Sequence, residues 1–158
     1  MNKPFVPDLK SNTRSTVIDL LNARLADAID LKLAVKQAHW NIRGPEFIAL
    51  HELLDEIAGR VEEHSDTMAE RVVQVGGLAA GTTQQVAKAT SLPPYPTEAT
   101  AQADHLNSLR ERFASFAKSC RTAIDEADEA GDVDTADIMT EVSRAIDKDL
   151  WFIAAHLE

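Results

Sequence analysis

Between His39 and Glu70, a run of thirty-two residues, the chain sets two histidines and three carboxylates at spacings that a helix would turn toward one side. His51 and Asp55 stand four apart, as do Asp66 and Glu70, and His39 precedes Trp40. Side chains four apart are neighbours on a helix surface. Mixed imidazole and carboxylate donors suit a borderline, redox-active metal such as iron. Asp66 and Glu70 supply anionic oxygen that attracts Fe2+ and favours Fe3+, while neutral imidazoles temper that hardness. Asp55 is expected to bind a metal directly or through water, or to orient an imidazole from behind. The competing reading is a solvated stripe, with Asp66 and Glu70 salt-bridged to Arg60 or Arg71.

Apolar periodicity says what positions these groups. Val17, Leu21, Leu25, Ala28, Val35 and Ala38 recur mostly at three- and four-residue steps, so a first helix is expected from Ser15 to about Asn41. Arg43 and Gly44 make a turn, Pro45 takes a first helical position, and a second helix runs on until Gly76 and Gly77 stop it. The stretch from Leu78 to Pro96 is too long for a tight turn, and a short helix is expected within it around Thr83 to Ala89. A third helix is expected from about Glu98 to Ala130, ended by Gly131. Capping side chains between Asp132 and Thr135 then start a fourth, Ala136 to His156. Short links between helices one and two and between three and four, with a long link between two and three, describe an all-α, ferritin-like four-helix bundle with one crossover carrying a short helix. Residues 1–158 are read as one domain with a short arm at 1–14.

A di-iron bundle of the usual kind carries a Glu-x-x-His motif on each of two helices. Three residues before His39, His51, His64, His105 and His156 stand Lys36, Ile48, Val61, Gln102 and Ile153, so that motif is missing. A hairpin about Gly44 brings His39 and His51 together, with Asp55 one turn along. Asp66 lies fifteen residues beyond His51, roughly 22 Å further along the axis at 1.5 Å per residue. One chain therefore cannot close the site. His51, Asp55, Asp66 and Glu70 nevertheless fall within about 100° of each other around the helix. A twofold partner laid antiparallel would bring its Asp66 and Glu70 to the first chain's His39, His51 and Asp55, making two sites per pair.

Composition narrows the rest. A net charge of −10 repels phosphate backbones. Before the first helix the chain offers only Lys3, Lys10 and Arg14, offset by Asp8, so DNA is expected to be held weakly and without sequence readout. A single cysteine, Cys120, read as a small buried hydrophobe, allows no internal disulfide and suits a reducing, cytoplasmic setting. No apolar run approaches membrane-spanning length. Trp40 and Trp151 read first as core or interface packing. His64, His105 and His156 receive no role.

The segment KQAHWNIRGPEFIALHELLDEI from Lys36 and the later HSDTMAERVVQVGG closely resemble the Dps family of mini-ferritins, the DNA-binding proteins from starved cells. The likeness continues through GTTQ at Gly81, YP at Tyr95, TADI at Thr135 and DKDLWFI at Asp147. The resemblance implies a cage of twelve subunits, ferrous iron oxidised preferentially by hydrogen peroxide at intersubunit ferroxidase sites, and ferric mineral stored within. It implies the ligands His39, His51 and Asp55 from one subunit with Asp66 and Glu70 from its neighbour, agreeing with the spacing argument. It lends some support to Trp40 as a sacrificial electron donor. It also implies a threefold pore lined by acids near the last turn. Glu126, Asp128, Glu129, Asp132, Asp134 and Asp137 cluster there, and Asp134 and Asp137 are the expected lining; solvated helix caps are the alternative. A nucleoid coat and a scaffold with a vestigial metal site are the competing functions.

Overall fold

The computed structural model describes residues 2–158. Its helices are α1 (Ser11–Asn41), α2 (Phe47–Gln74), α3 (Thr83–Ala89), α4 (Gln102–Ala130) and α5 (Val133–Ala155). Helix α1 packs against α2, α3 and α4, while α5 packs against α4 and α2. This is the expected four-helix bundle, with α3 in the crossover. The core runs along the bundle axis through Leu21, Val35, Leu54, Ile57, Phe113, Phe116 and Ile146, none of which retains exposed surface. Each such side chain contributes about 1.5–3 kcal/mol on burial.

Helix α1 starts four residues earlier than its apolar pattern suggested. Thr13 is buried and donates to the Ala130 carbonyl across the bundle at 2.8 Å, which holds the extra turn in place. The arm before it is not free. Asn2 N–H donates to Gly76 O at 2.9 Å, and Phe5 and Val6 both donate to Gln74 O. Gly76 has φ +90, and a Cβ there would lie 2.8 Å from the Asn2 carbonyl, so both backbone conformation and arm docking call for glycine.

The α1–α2 link is pinned from outside the hairpin. Arg43 N–H donates to Thr100 O and Gln102 N–H to Arg43 O, at 2.9 and 3.1 Å. These bonds hold residues 99–101 out of helix, so α4 begins at Gln102 rather than Glu98. Pro45 sits ahead of the N-cap Glu46 rather than at the first helical position, because Phe47 N–H closes a turn onto Gly44 O at 3.2 Å.

At the opposite end, Gly131 ends α4 with φ +86, and Asp132 caps α5 by accepting from the Thr135 N–H. Asp132 also receives Arg71 from the last turn of α2 at 2.7 Å. A second cross-link joins Arg60 of α2 to buried Asp149 of α5, also at 2.7 Å. Both pairs fasten α2, which carries most of the candidate ligands, to the far side of the bundle.

Candidate metal centre

The α1–α2 hairpin sets the two imidazoles face to face. Their ring centroids are 3.8 Å apart with planes 20° from parallel. Each ring bonds the other residue's backbone: His39 Nδ1 lies 2.8 Å from His51 O, and His51 Nδ1 lies 2.9 Å from His39 O. The reciprocity follows from the helix ends. The His39 carbonyl belongs to the last turn of α1, where it has no N–H partner within the helix, and a carbonyl has two lone pairs to offer. Since a carbonyl can only accept, Nδ1 must carry the proton in both rings. In the neutral ring the lone pair is then on Nε2, and a hydrogen-bonded Nδ1–H is the usual orienting contact of a metal-binding imidazole.

Asp55 follows one turn along α2 and is exposed. Its carboxylate meets Lys36 Nζ at 2.6 Å. That hydrogen bond and charge hold the Asp55 carboxyl below its ordinary value, with smaller contributions in the same direction from His39 and His51. It is therefore an anion at neutral pH. Lys36 also lies 5.7 Å from the centre of the Trp40 ring. Trp40 and Trp151 are each 65% exposed, which corrects the core half of the packing expectation and leaves an interface as its other half.

Asp66 and Glu70 are exposed further down α2. The competing salt bridges do not form: Arg60 goes to Asp149 and Glu56, and Arg71 goes to Asp132, Thr135 and, at 3.9 Å, Asp134. Among the described residues, no three His, Cys, Asp or Glu side chains converge within one chain to hold a metal ion. Asp66 shares a groove with Leu33, Lys32 and Glu62, and Glu70 shares one with Val73. Leu33, Val73, Leu78, Trp40 and Ile48 are large apolar side chains between 44% and 75% exposed, so the candidate ligands are accompanied by the kind of surface that marks an interface.

The acidic turn divides. Asp132 is buried, and although burial raises its pKa, hydrogen bonds from Thr135 and Arg71 outweigh that and hold it below the ordinary value. It is a cap and an ion-pair partner, unavailable to line a pore. Asp134, with a 78% exposed side chain, and Asp137, Glu126, Asp128 and Glu129 face outward.

The three histidines given no role have surroundings that the spacing of apolar residues could not reveal. His105 is fully buried against Tyr95. His64 is depressed by burial, with Glu141, Asp149 and Glu63 opposing. His156 bonds the Phe152 carbonyl at 2.7 Å, a helix-end contact. Cys120 is buried as expected, and burial pushes its thiol up to about 12.

The ferritin-like domain family matches residues 18–158. The chain is 54% identical to the DNA protection during starvation protein of Agrobacterium fabrum, over 96% of this chain and 93% of that one. Among solved structures it is similar to Dps of Mycobacterium smegmatis, with a TM-score of 0.93 at 31% identity over 97% and 92% of the two chains. It is also similar to DpsC of Streptomyces coelicolor, with a TM-score of 0.92 at 37% identity over 96% and 88%.

Proposed function

The chain belongs to the Dps family of ferritin-like proteins, and from that premise we propose that it is a ferroxidase that detoxifies and stores iron. The observation that carries this reading is the reciprocal pair of Nδ1 bonds, which leaves both Nε2 atoms of His39 and His51 as available donors beside the Asp55 anion. A second subunit, related by a twofold axis, contributes Asp66 and Glu70. Fe2+ is the substrate, and two ferrous ions per site give hydrogen peroxide two electrons together, yielding two Fe3+ and two hydroxides. Release of hydroxyl radical is thereby avoided, and nearby DNA is protected. Lys36 must give up Asp55 as the cation arrives, exchanging an exposed ion pair of small worth for a metal bond.

The remaining assignments follow the family. Residues 1–158 form one cytoplasmic domain that assembles into a closed shell of twelve, with ferric mineral inside. Asp134 and Asp137 line an entry pore, where a ring of carboxylates concentrates cations. Trp40 donates an electron when oxidation goes astray. No helix among the described residues is long and apolar enough to cross a membrane. Direct DNA binding is the second reading. The backbone docking of Asn2, Phe5 and Val6 against the end of α2 counts against a free basic arm, so any DNA contact rests on Lys3, Lys10 and Arg14 multiplied over the shell.

The test is anaerobic mixing of apo-protein with Fe2+, followed by hydrogen peroxide, with ferric absorbance and a hydroxyl-radical spin trap read together. Fast, complete oxidation with little trapped radical is expected. Oxidation and radical yield matching a protein-free control would remove the ferroxidase reading and bring the DNA and scaffold readings forward.

A further inference from the structure

The two stacked imidazoles flank the least supported part of their own hairpin. His39 lies in the last turn of α1 and His51 at the start of the second turn of α2. Between them, residues 43–49 are exposed without a break, so within one subunit this tip inserts no side chain into the core. Ile42 and Leu50 anchor its two sides. Helix ends fray unless something restrains them, and with no burial available the restraint has to be hydrogen bonding.

Among the described residues, every hydrogen bond that leaves the tip runs to residues 100–102, where the crossover enters α4. Gln102 makes most of them. Its backbone N–H donates to the Arg43 carbonyl at 3.1 Å, its Oε1 accepts from the Glu46 N–H at 3.4 Å, and its Nε2 donates to the Glu46 carboxylate at 2.6 Å. The last bond has an ionised acceptor and is of the stronger kind. Gly44 lets the amide in, since a Cβ there would stand 2.7 Å from Gln102 Oε1. Glu46 is the N-cap of α2, yet its side chain caps nothing in its own helix, and Ala101 offers α4 no side-chain cap. Gln102 N–H, a free donor at the start of α4, is satisfied by the hairpin instead. The first turn of α4 is itself fixed, because His105 is buried, bonds Tyr95 at 2.6 Å and lies against the Asn41 backbone.

We propose that Gln102 is a positioning residue for the candidate metal centre, clamping the α1–α2 turn in the register at which His39 and His51 bond each other's backbone. It touches neither imidazole. Each Nδ1 bond depends on the other residue's carbonyl, so a shift of the first turn of α2 opens both together. The rings are then free to rotate or change tautomer, and the two Nε2 donors are no longer presented as a pair to Fe2+. This assignment rests on the reading of the imidazoles as metal donors, and it gives the means by which one chain holds them ready before a partner brings Asp66 and Glu70.

The test compares iron-free assembled wild type with Gln102→Glu, which sets a second carboxylate against Glu46. A double variant, Gln102→Glu with Glu46→Gln, restores one amide–carboxylate pair with its partners exchanged. Two quantities are read: nitrogen NMR of isotope-labelled histidine under magic-angle spinning, assigned through His39→Ala and His51→Ala, and Co2+ uptake followed by ligand-field absorbance. Wild type should show both imidazoles protonated at Nδ1. Gln102→Glu should split the His39 and His51 signals between tautomers and weaken Co2+ binding about threefold to tenfold, less than a partner bonded directly to a metal ligand would. The double variant should recover both readings, which a general loosening of the fold would not allow. Should Gln102→Glu fail to assemble, Gln102→Met, of similar length and with neither side-chain bond, takes its place. Unchanged tautomers and Co2+ affinity in the single variant, or no recovery in the double, would overturn the clamp. Wild-type protein with both tautomers in place but no Co2+ uptake would count against the ferroxidase reading instead, and the tautomer comparison would still decide the clamp.

Discussion

At the scale of single residues, chemistry and support separate cleanly along α2. Asp66 and Glu70 are exposed and make no described ion pair, so Asp66→Ala and Glu70→Ala should leave the urea midpoint essentially unchanged. Both should slow peroxide-driven iron oxidation by more than about tenfold, the scale on which even outer contacts of a metal site act. Normal oxidation in both variants would move the site elsewhere. Asp132 presents the opposite case. Asp132→Ala leaves Arg71 buried without its counter-charge, a change that costs about 3–5 kcal/mol and should appear as a lower midpoint with ferroxidation per folded subunit intact. The pH dependence has a definite sign. The folded-state pKa of Asp132 lies below the unfolded value of 3.8, so its stabilisation is complete above that value and is lost as the pH falls through the folded pKa. A denaturation series from neutral pH to below 3.8 should show the wild type losing stability at the acid end more steeply than Asp132→Asn. Parallel curves would show that this pair does not set the acid limit.

At the scale of helices, the sequence was most legible where signals were local. The short helix Thr83–Ala89 has the expected bounds because Thr82 and Gln85 cap it reciprocally, all within four residues. Gly76 and Gly131 stop their helices through positive φ, a property a sequence displays directly. Gly131 has open space where a Cβ would go, so Gly131→Ala should cost about 1–2 kcal/mol through backbone conformation alone, read as a drop in chemical stability without loss of assembly. Boundaries went astray where the deciding contact is distant in sequence. The start of α4 depends on Arg43 pairing with residues 100 and 102, and the first turn of α1 depends on Thr13 reaching Ala130. The candidate site divides in the same way. His39, His51 and Asp55 were legible because a hairpin and a four-residue step are local geometry, whereas the Lys36 contact to Asp55 and the burial of Asp132 needed side-chain positions. Tyr95 and His105, ten residues apart across a helix start, carry no periodic signal at all.

At the scale of the whole molecule, exposed apolar side chains and the candidate ligands share the α1–α2 surface, so on the proposed reading assembly and catalysis would be one property. Ile48→Glu, at a 61% exposed position three residues before His51, should cost the isolated fold little and weaken subunit association, and oxidation rate should fall in step with oligomer size on light scattering. A variant that lost its partners yet oxidised iron at the full rate would contradict a shared site. The arm is a separate matter: deletion of residues 2–10 should leave ferroxidation unchanged and remove whatever salt-sensitive DNA retardation the shell displays.

Mixed assembly tests the shared site most directly. His51→Ala and Asp66→Ala proteins, each expected to be at least about tenfold slower alone, would be co-expressed under separate tags, and doubly tagged oligomers assayed for peroxide-driven iron oxidation. If each site draws its histidines from one subunit and Asp66 from the other, every mixed pair holds one intact site and one doubly damaged site, and random assembly restores about a quarter of wild-type activity. A site built within one chain would be damaged in every subunit, and mixed oligomers with no more activity than their parents would contradict the account.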